Sequence, residues 1–216
     1  MNETCEIVYI LDRSGSMHGL EADTIGGFNG MIEKQRKEGL KAVVSVSIFD
    51  DKNEIVVDRE DLSKVPEMTS KVYYTRGCTA LFDAVGEMIS RVDDSRKSLS
   101  KEECPGRTMF IITTDGMENA SHEFSGKAVK SLIEAHKQLG WEFLYLGANI
   151  DAAAEAEKIG IGADRAVRFH ADSKGIRKNM EVLADSVVEF ANCEAPLSAD
   201  WKKRIEDDYK SRKSER

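Results

Sequence analysis

The sequence predicts an α/β fold: a doubly wound, Rossmann-like, mostly parallel sheet with one antiparallel edge strand and helices on both faces. Three observations lead there. Short apolar runs such as Ile7-Val8-Tyr9-Ile10-Leu11 alternate with segments whose apolar residues recur at helical spacing, the pattern of helices packed over a sheet. The run from Thr108 to Thr113 is mostly apolar, as a central strand covered on both faces requires. The turn cluster Asp50-Asp51-Lys52-Asn53 is too short for a parallel crossover, so the strands flanking it form an antiparallel hairpin.

The first strand is read over Cys5 to Leu11, and the first helix over Ala22 to Glu38. Ile25, Phe28, Met31 and Ile32 form the apolar face of that helix, and Glu21 and Asp23 complement the dipole at its start. Gly26, Gly27 and Gly30 weaken it as a helix and suggest close packing on its neighbours. Strand two spans Ala42 to Phe49 and strand three Glu54 to Asp58. After a polar linker, a helix starts near Ala80 with a stripe of Leu81, Val85, Met88, Ile89 and Val92, and Thr79 sits at or beside its N-cap. Strand four, Thr108 to Thr113, leads into Thr114-Asp115-Gly116. A helix from Gly126 to Leu139 is capped by Gly140, and strand five follows from Trp141 to Leu146. Asp151 caps an alanine-rich helix, Ala152 to Lys158; Ala166 to Phe169 is a short strand. Asp172 caps a last long helix striped by Ile176, Met180, Leu183, Val187 and Phe190.

One domain is expected over residues 1–192, with 193–216 a charged tail. Trp201, Ile205 and Tyr209 recur at four-residue spacing, which predicts a short helix packed weakly on the domain; the alternative is a partner-docking segment.

Bulk properties narrow the function. A net charge of −8 and a pI near 5.2 argue against a nucleic-acid binder or a protein that docks on anionic lipid. No run approaches the roughly 18 apolar residues of a membrane helix, and the N-terminus runs almost directly into strand one without an export signal. A cytoplasmic location is therefore expected. Cys5, Cys78, Cys104 and Cys193 lack CxxC spacing, which predicts reduced thiols and argues against a structural zinc site.

The chemistry concentrates in three distant segments. Asp12, Ser14 and Ser16 follow strand one, Thr79 precedes a helix, and Asp115 ends strand four. In the common order 3-2-1-4-5-6, strands one and four are neighbours, and ligands bind in the crevice at their carboxyl ends. That order brings Asp12, Ser14 and Ser16 together with Asp115; with Thr79 added, two acids and three hydroxyls suit Mg²⁺, a hard cation that takes six oxygens at about 2.0–2.1 Å. Direct binding by the hydroxyls, with the acids acting through water, leaves the ion enough charge to accept a carboxylate from outside.

These residues carry a resemblance. Asp12-Arg13-Ser14-Gly15-Ser16 matches the Asp-x-Ser-x-Ser signature of von Willebrand factor type A domains. Thr79, in Gly77-Cys78-Thr79-Ala80-Leu81, and Asp115, in Thr113-Thr114-Asp115-Gly116, match that family's threonine and later aspartate. The similarity runs from about Cys5 to Ala191 and looks most like the small intracellular bacterial members. The resemblance implies a complete metal-ion-dependent adhesion site. Ser14, Ser16 and Thr79 would touch Mg²⁺ or Mn²⁺, Asp12 and Asp115 would act largely through water, and a protein partner would supply Asp or Glu at the sixth position.

The expected function is thus a non-enzymatic, metal-dependent protein-interaction module without nucleic-acid or membrane partners. His18 reads as a loop residue on the binding face rather than a ligand; Glu118, Asn119, Ser121 and His122, in the loop after Asp115, read either as residues that shape partner choice or as plain surface; Cys78 reads as a small loop residue, with a reactive thiol the alternative, and Asp50 and Asp51 as turn formers. No Gly-x-Ser-x-Gly elbow or phosphate-binding Gly-x-x-x-x-Gly-Lys run is present. The alternatives are a metal-dependent phosphatase using Asp12, and a subunit of an ATPase-linked chelatase or stress-response complex. The phosphatase lacks its usual second acid, because that position is Ser14.

Overall fold

The computed structural model describes residues 3–148 and 150–213. Within these residues six strands form one sheet: β1 (Cys5–Asp12), β2 (Ala42–Phe49), β3 (Asn53–Asp61), β4 (Arg107–Thr114), β5 (Glu142–Ala148) and β6 (Ala166–Phe169). Their order is β3-β2-β1-β4-β5-β6, with every pair parallel except β2 with β3. This is the predicted α/β architecture, antiparallel edge included.

Among the described residues, six α-helices pack on the sheet: α1 (Glu21–Lys37), α2 (Leu81–Lys97), α3 (Gly126–Gln138), α4 (Ala152–Lys158), α5 (Ser173–Asn192) and α6 (Lys203–Lys213). Alternate residues of each central strand face opposite layers. Ile7, Tyr9, Leu11, Met109 and Ile111 pack with α1 and α5, whereas Val8, Ile10, Phe110 and Ile112 pack with α2, α3 and α4. The crossover helices thus lie on both faces.

Local chemistry sets the helix ends. Ser125, Asp151 and Asp172 accept hydrogen bonds from Ala128, Ala154 and Gly175 N–H groups, capping α3, α4 and α5. Gly140 follows α3 with φ +83°, the left-handed turn that glycine adopts without a Cβ penalty. Thr79 lies beside the N-cap of α2, which is Ala80 and makes no side-chain cap bond. Of the α1 glycines, only Gly27 marks a close approach. A Cβ there would lie 2.7 Å from Met180 Cγ on α5, while Gly26 and Gly30 face open space.

Two elements differ from expectation. Strand β3 continues through Asp61, past the predicted end at Asp58. Its pairing with β2 shifts register near Val46, and Arg59, at φ 49°, donates its N–H to Ser45 Oγ. A local irregularity therefore lets a polar segment stay in the sheet. The tail is firmly docked rather than weakly packed. Trp201 and Ile205 are buried in the α1–α5 layer, and Trp201 Nε1 donates to the Asp164 carbonyl at 3.0 Å. Tyr209 stacks on His170 with ring centres 4.3 Å apart. Residues 214–216 of the predicted tail helix lie outside the described residues.

Candidate metal centre

Asp12 is the last residue of β1, and Asp115 follows the last residue of β4. Parallel pairing sets Leu11 beside Thr113, so the two carboxylates leave the sheet at one edge. Asp12 is buried, and both of its carboxylate oxygens accept hydrogen bonds. The Ser14 N–H donates to Oδ1 at 2.6 Å, and Thr114 Oγ1 donates to Oδ2 at 2.6 Å. Its backbone carbonyl accepts from the buried Tyr73 hydroxyl at 2.5 Å.

The serines extend the cluster outward. Ser14 Oγ and Ser16 Oγ are 3.1 Å apart, and Ser16 Oγ donates to Asp115 Oδ1 at 2.5 Å. Thr79 reaches the same place from the loop before α2. A Cβ added to Gly116 would lie 2.9 Å from Thr79 Oγ1 and 3.6 Å from Ser16 Oγ, so both hydroxyls flank one point. All five predicted residues are therefore brought together from three loops.

A second tier of residues builds the Thr79 loop. Its N–H donates to Asn119 Oδ1 at 2.9 Å, and the Asn119 N–H returns a bond to the Thr79 carbonyl at 3.1 Å. Glu118 accepts from the Phe82 N–H, and Ser121 from the Asp83 N–H, so these residues fasten the β4 loop to the start of α2. Asp51 accepts from the Cys78 N–H at 2.7 Å. Gly77, at φ +67°, leaves no room for a Cβ beside the Asp51 carboxylate, and its carbonyl accepts from the Gly15 N–H. Asp50 and Asp51 are thus anchors rather than simple turn formers.

Arg13, inside the signature, points away from the cluster. It is fully buried and pairs with Asp50 and Glu54, each at 2.7 Å. Arg76 also pairs with Asp50, at 2.6 Å, and both guanidiniums lie over the Tyr74 ring. Tyr73, Thr114 and Asp50 are not legible as site residues, and Asn119 is legible only as a loop residue near the binding face, because their supporting roles depend on contacts between distant segments. Thr114 alone had a signal, its place beside Asp115. His18 is exposed and lies 3.3 Å from Glu21, outside the hydroxyl cluster.

The electrostatics suit a cation. Burial lifts the Asp115 carboxyl to about 6; the Ser16 hydrogen bond opposes the shift and the nearby Asp12 charge adds to it. Burial also raises Asp12, against the hydrogen bonds from Thr114 and Ser14. Neither carboxylate draws on a basic side chain for compensation. The donor set fits a hard ion as well. Oxygens at 2.0–2.1 Å from Mg²⁺ lie about 3 Å apart along an octahedral edge, close to the 3.1 Å between the serine oxygens. Among the described residues, no group of three or more His, Cys, Asp or Glu side chains is placed to hold a metal, so hydroxyls are essential to any centre here.

No protein-family model and no curated protein matches the chain. Solved structures do. A von Willebrand factor type A structure from Catenulispora acidiphila aligns with TM-score 0.55 and 14% identity over 87% of this chain and 43% of its own. Proximal thread matrix protein 1 from the mussel byssus, solved with a zinc-occupied MIDAS motif, aligns with TM-score 0.56 and 15% identity over 85% of this chain and 46% of its own. The PilB minor pilin from Streptococcus sanguinis aligns with TM-score 0.63 and 11% identity over 88% of this chain and 62% of its own. The chain thus spans less than two thirds of each of these proteins. At such identities the likeness is one of fold, and the fold is von Willebrand factor type A-like.

Proposed function

We propose that this chain is a divalent-metal-dependent protein-interaction module with a complete adhesion-type metal site. Ser14, Ser16 and Thr79 would hold Mg²⁺, or Mn²⁺, through their hydroxyls, with Asp12 and Asp115 supporting it largely through water. When bound, the cation supplies a coordination position for an Asp or Glu of a protein partner. The carrying observation is the convergence of three hydroxyls and two uncompensated carboxylates at one sheet edge. The zinc-occupied MIDAS of the mussel protein supports this reading.

The same contacts favour binding over catalysis. Asp12 is 1% exposed and both its carboxylate oxygens are engaged, which disfavours a phosphatase nucleophile. Ser14 and Ser16 face each other and Asp115 rather than a histidine. Asp51 holds the Cys78 thiol above its ordinary range, opposite to what an activated nucleophile needs. Among the described residues no helix is long and apolar enough to cross a membrane.

Calorimetric titration with Mg²⁺ and Mn²⁺ tests the metal, and capture of partners by wild type against Ser14→Ala tests the contact. The reading requires saturable binding in the wild type, its loss in Ser14→Ala, and partners released by chelator. Identical partner sets for both proteins count against a metal-bridged contact.

A further inference from the structure

Behind Asp12, between the sheet and the α1–α5 layer, lies a small cavity lined by buried residues. Asp12, Thr24, Tyr73, Thr113 and Asn179 supply its polar lining, and residues such as Leu11 and Met180 its apolar walls. It offers a water-sized sphere about 10 Å³, close to the roughly 10–15 Å³ that one internal water needs.

Asp12 and Tyr73 are hydrogen-bonded, but the rest of the polar lining is not. Thr113 Oγ1, Thr24 Oγ1 and both amide atoms of Asn179 are buried without a hydrogen-bond partner. The other such atoms among the described residues belong to Ser47, Asn53 and Tyr145, which do not line the cavity. Thr24 lies beside the Tyr73 hydroxyl, whose hydrogen is given to the Asp12 carbonyl. Leaving one such group unpaired costs about as much as a hydrogen bond, and unpaired groups from α1, β4 and α5 meet here. A water supplies two hydrogens and two lone pairs, which suits two hydroxyls and an amide.

We propose that this cavity holds one resident water, bonded to Thr113, Asn179 and Thr24, which ties α5 and α1 to the end of β4 beside Asp12 and so positions the Asp12 loop. Asn179 and Thr113 are then positioning residues for that loop. The consequence for metal binding rests on the proposed function; the test does not.

Two measurements on metal-free, full-length protein decide it. A high-resolution crystal structure is expected to show a single density peak within hydrogen-bond distance of Thr113 Oγ1 and Asn179. Hydrogen exchange is expected to speed up about three- to ten-fold at the Ser14 amide in Thr113→Val, the change from losing one ordinary hydrogen bond, while the far half of α5 stays unchanged. Asn179→Leu, which displaces the water, is expected to act in the same direction; if it fails to fold, the isosteric Thr113→Val decides. An apolar, empty cavity in the density overturns the water. A density peak with unchanged Ser14 exchange in Thr113→Val overturns the positioning role.

Discussion

Thr114 Oγ1 donates a hydrogen bond to Asp12 Oδ2 at 2.6 Å, joining the ends of β4 and β1 across the sheet crevice. The bond holds one oxygen of a buried carboxylate while Ser14 N–H holds the other. The serines can then project outward from a fixed base. Removing the hydroxyl by Thr114→Val leaves that oxygen short of a donor. The expected loss is about 1.5–3 kcal/mol of stability, the range for a bond to a charged group, with weaker Mn²⁺ binding. Urea denaturation and calorimetry check it; an unchanged Mn²⁺ affinity would separate this bond from the site.

Gly116→Ala tests the placement of Thr79. Its new Cβ would sit 2.9 Å from Thr79 Oγ1, so the hydroxyl must rotate away. Metal affinity is expected to fall about ten-fold or more, equivalent to about 1.4 kcal/mol, while the urea midpoint moves little. Titration of both proteins under one buffer reads the difference.

The Asp50 network predicts a pH dependence. Burial raises the Asp50 carboxyl, but hydrogen bonds from Arg76, the Lys52 N–H and Arg13 outweigh it and hold the group below its ordinary value. A carboxyl lowered in the folded state contributes stability above its unfolded pKa of about 3.9, and that contribution is lost as pH falls through the folded value. Asp50→Asn breaks a pair whose Arg13 is fully buried, at a cost of about 3 kcal/mol at pH 7. The gap from wild type should narrow only below about pH 4. Denaturation curves at neutral and acid pH measure it; a gap that narrows near pH 6 would contradict the assignment.

Trp201→Ala tests whether the tail belongs to the folded unit. Trp201 is 6% exposed and packed into the α1–α5 layer. Truncating a buried tryptophan costs about 3–5 kcal/mol; this one, at the layer's margin, is expected near about 3 kcal/mol in urea unfolding. A change under about 0.5 kcal/mol, the size of a surface substitution, would mean that the tail is peripheral.

The framework was largely readable from the chain because period and connection length are local signals. The Asp50–Asn53 turn announced its hairpin, and the apolar runs announced the central strands. Strand β3 runs past its expected end because Arg59-Glu60-Asp61 has the composition of a loop, and its irregular pairing with β2 is a tertiary feature. The tail misled for a related reason. Its charges dominate its composition, yet Trp201 and Ile205 find a hydrophobic layer assembled from residues far upstream. At the site, residues with a spaced motif were visible. Tyr73 and Asp50 are not, and Asn119 is visible only as a loop residue near the binding face, because a tyrosine, a turn aspartate and an asparagine become supports only when distant loops meet.

The most direct test is a crystal soaked in Mn²⁺ and measured for anomalous scattering. The account predicts one peak bonded to Ser14 Oγ, Ser16 Oγ and Thr79 Oγ1, with Asp12 and Asp115 reaching it mainly through water. Crystals that show no peak at the ends of β1 and β4, while calorimetry shows no saturable binding, would contradict it.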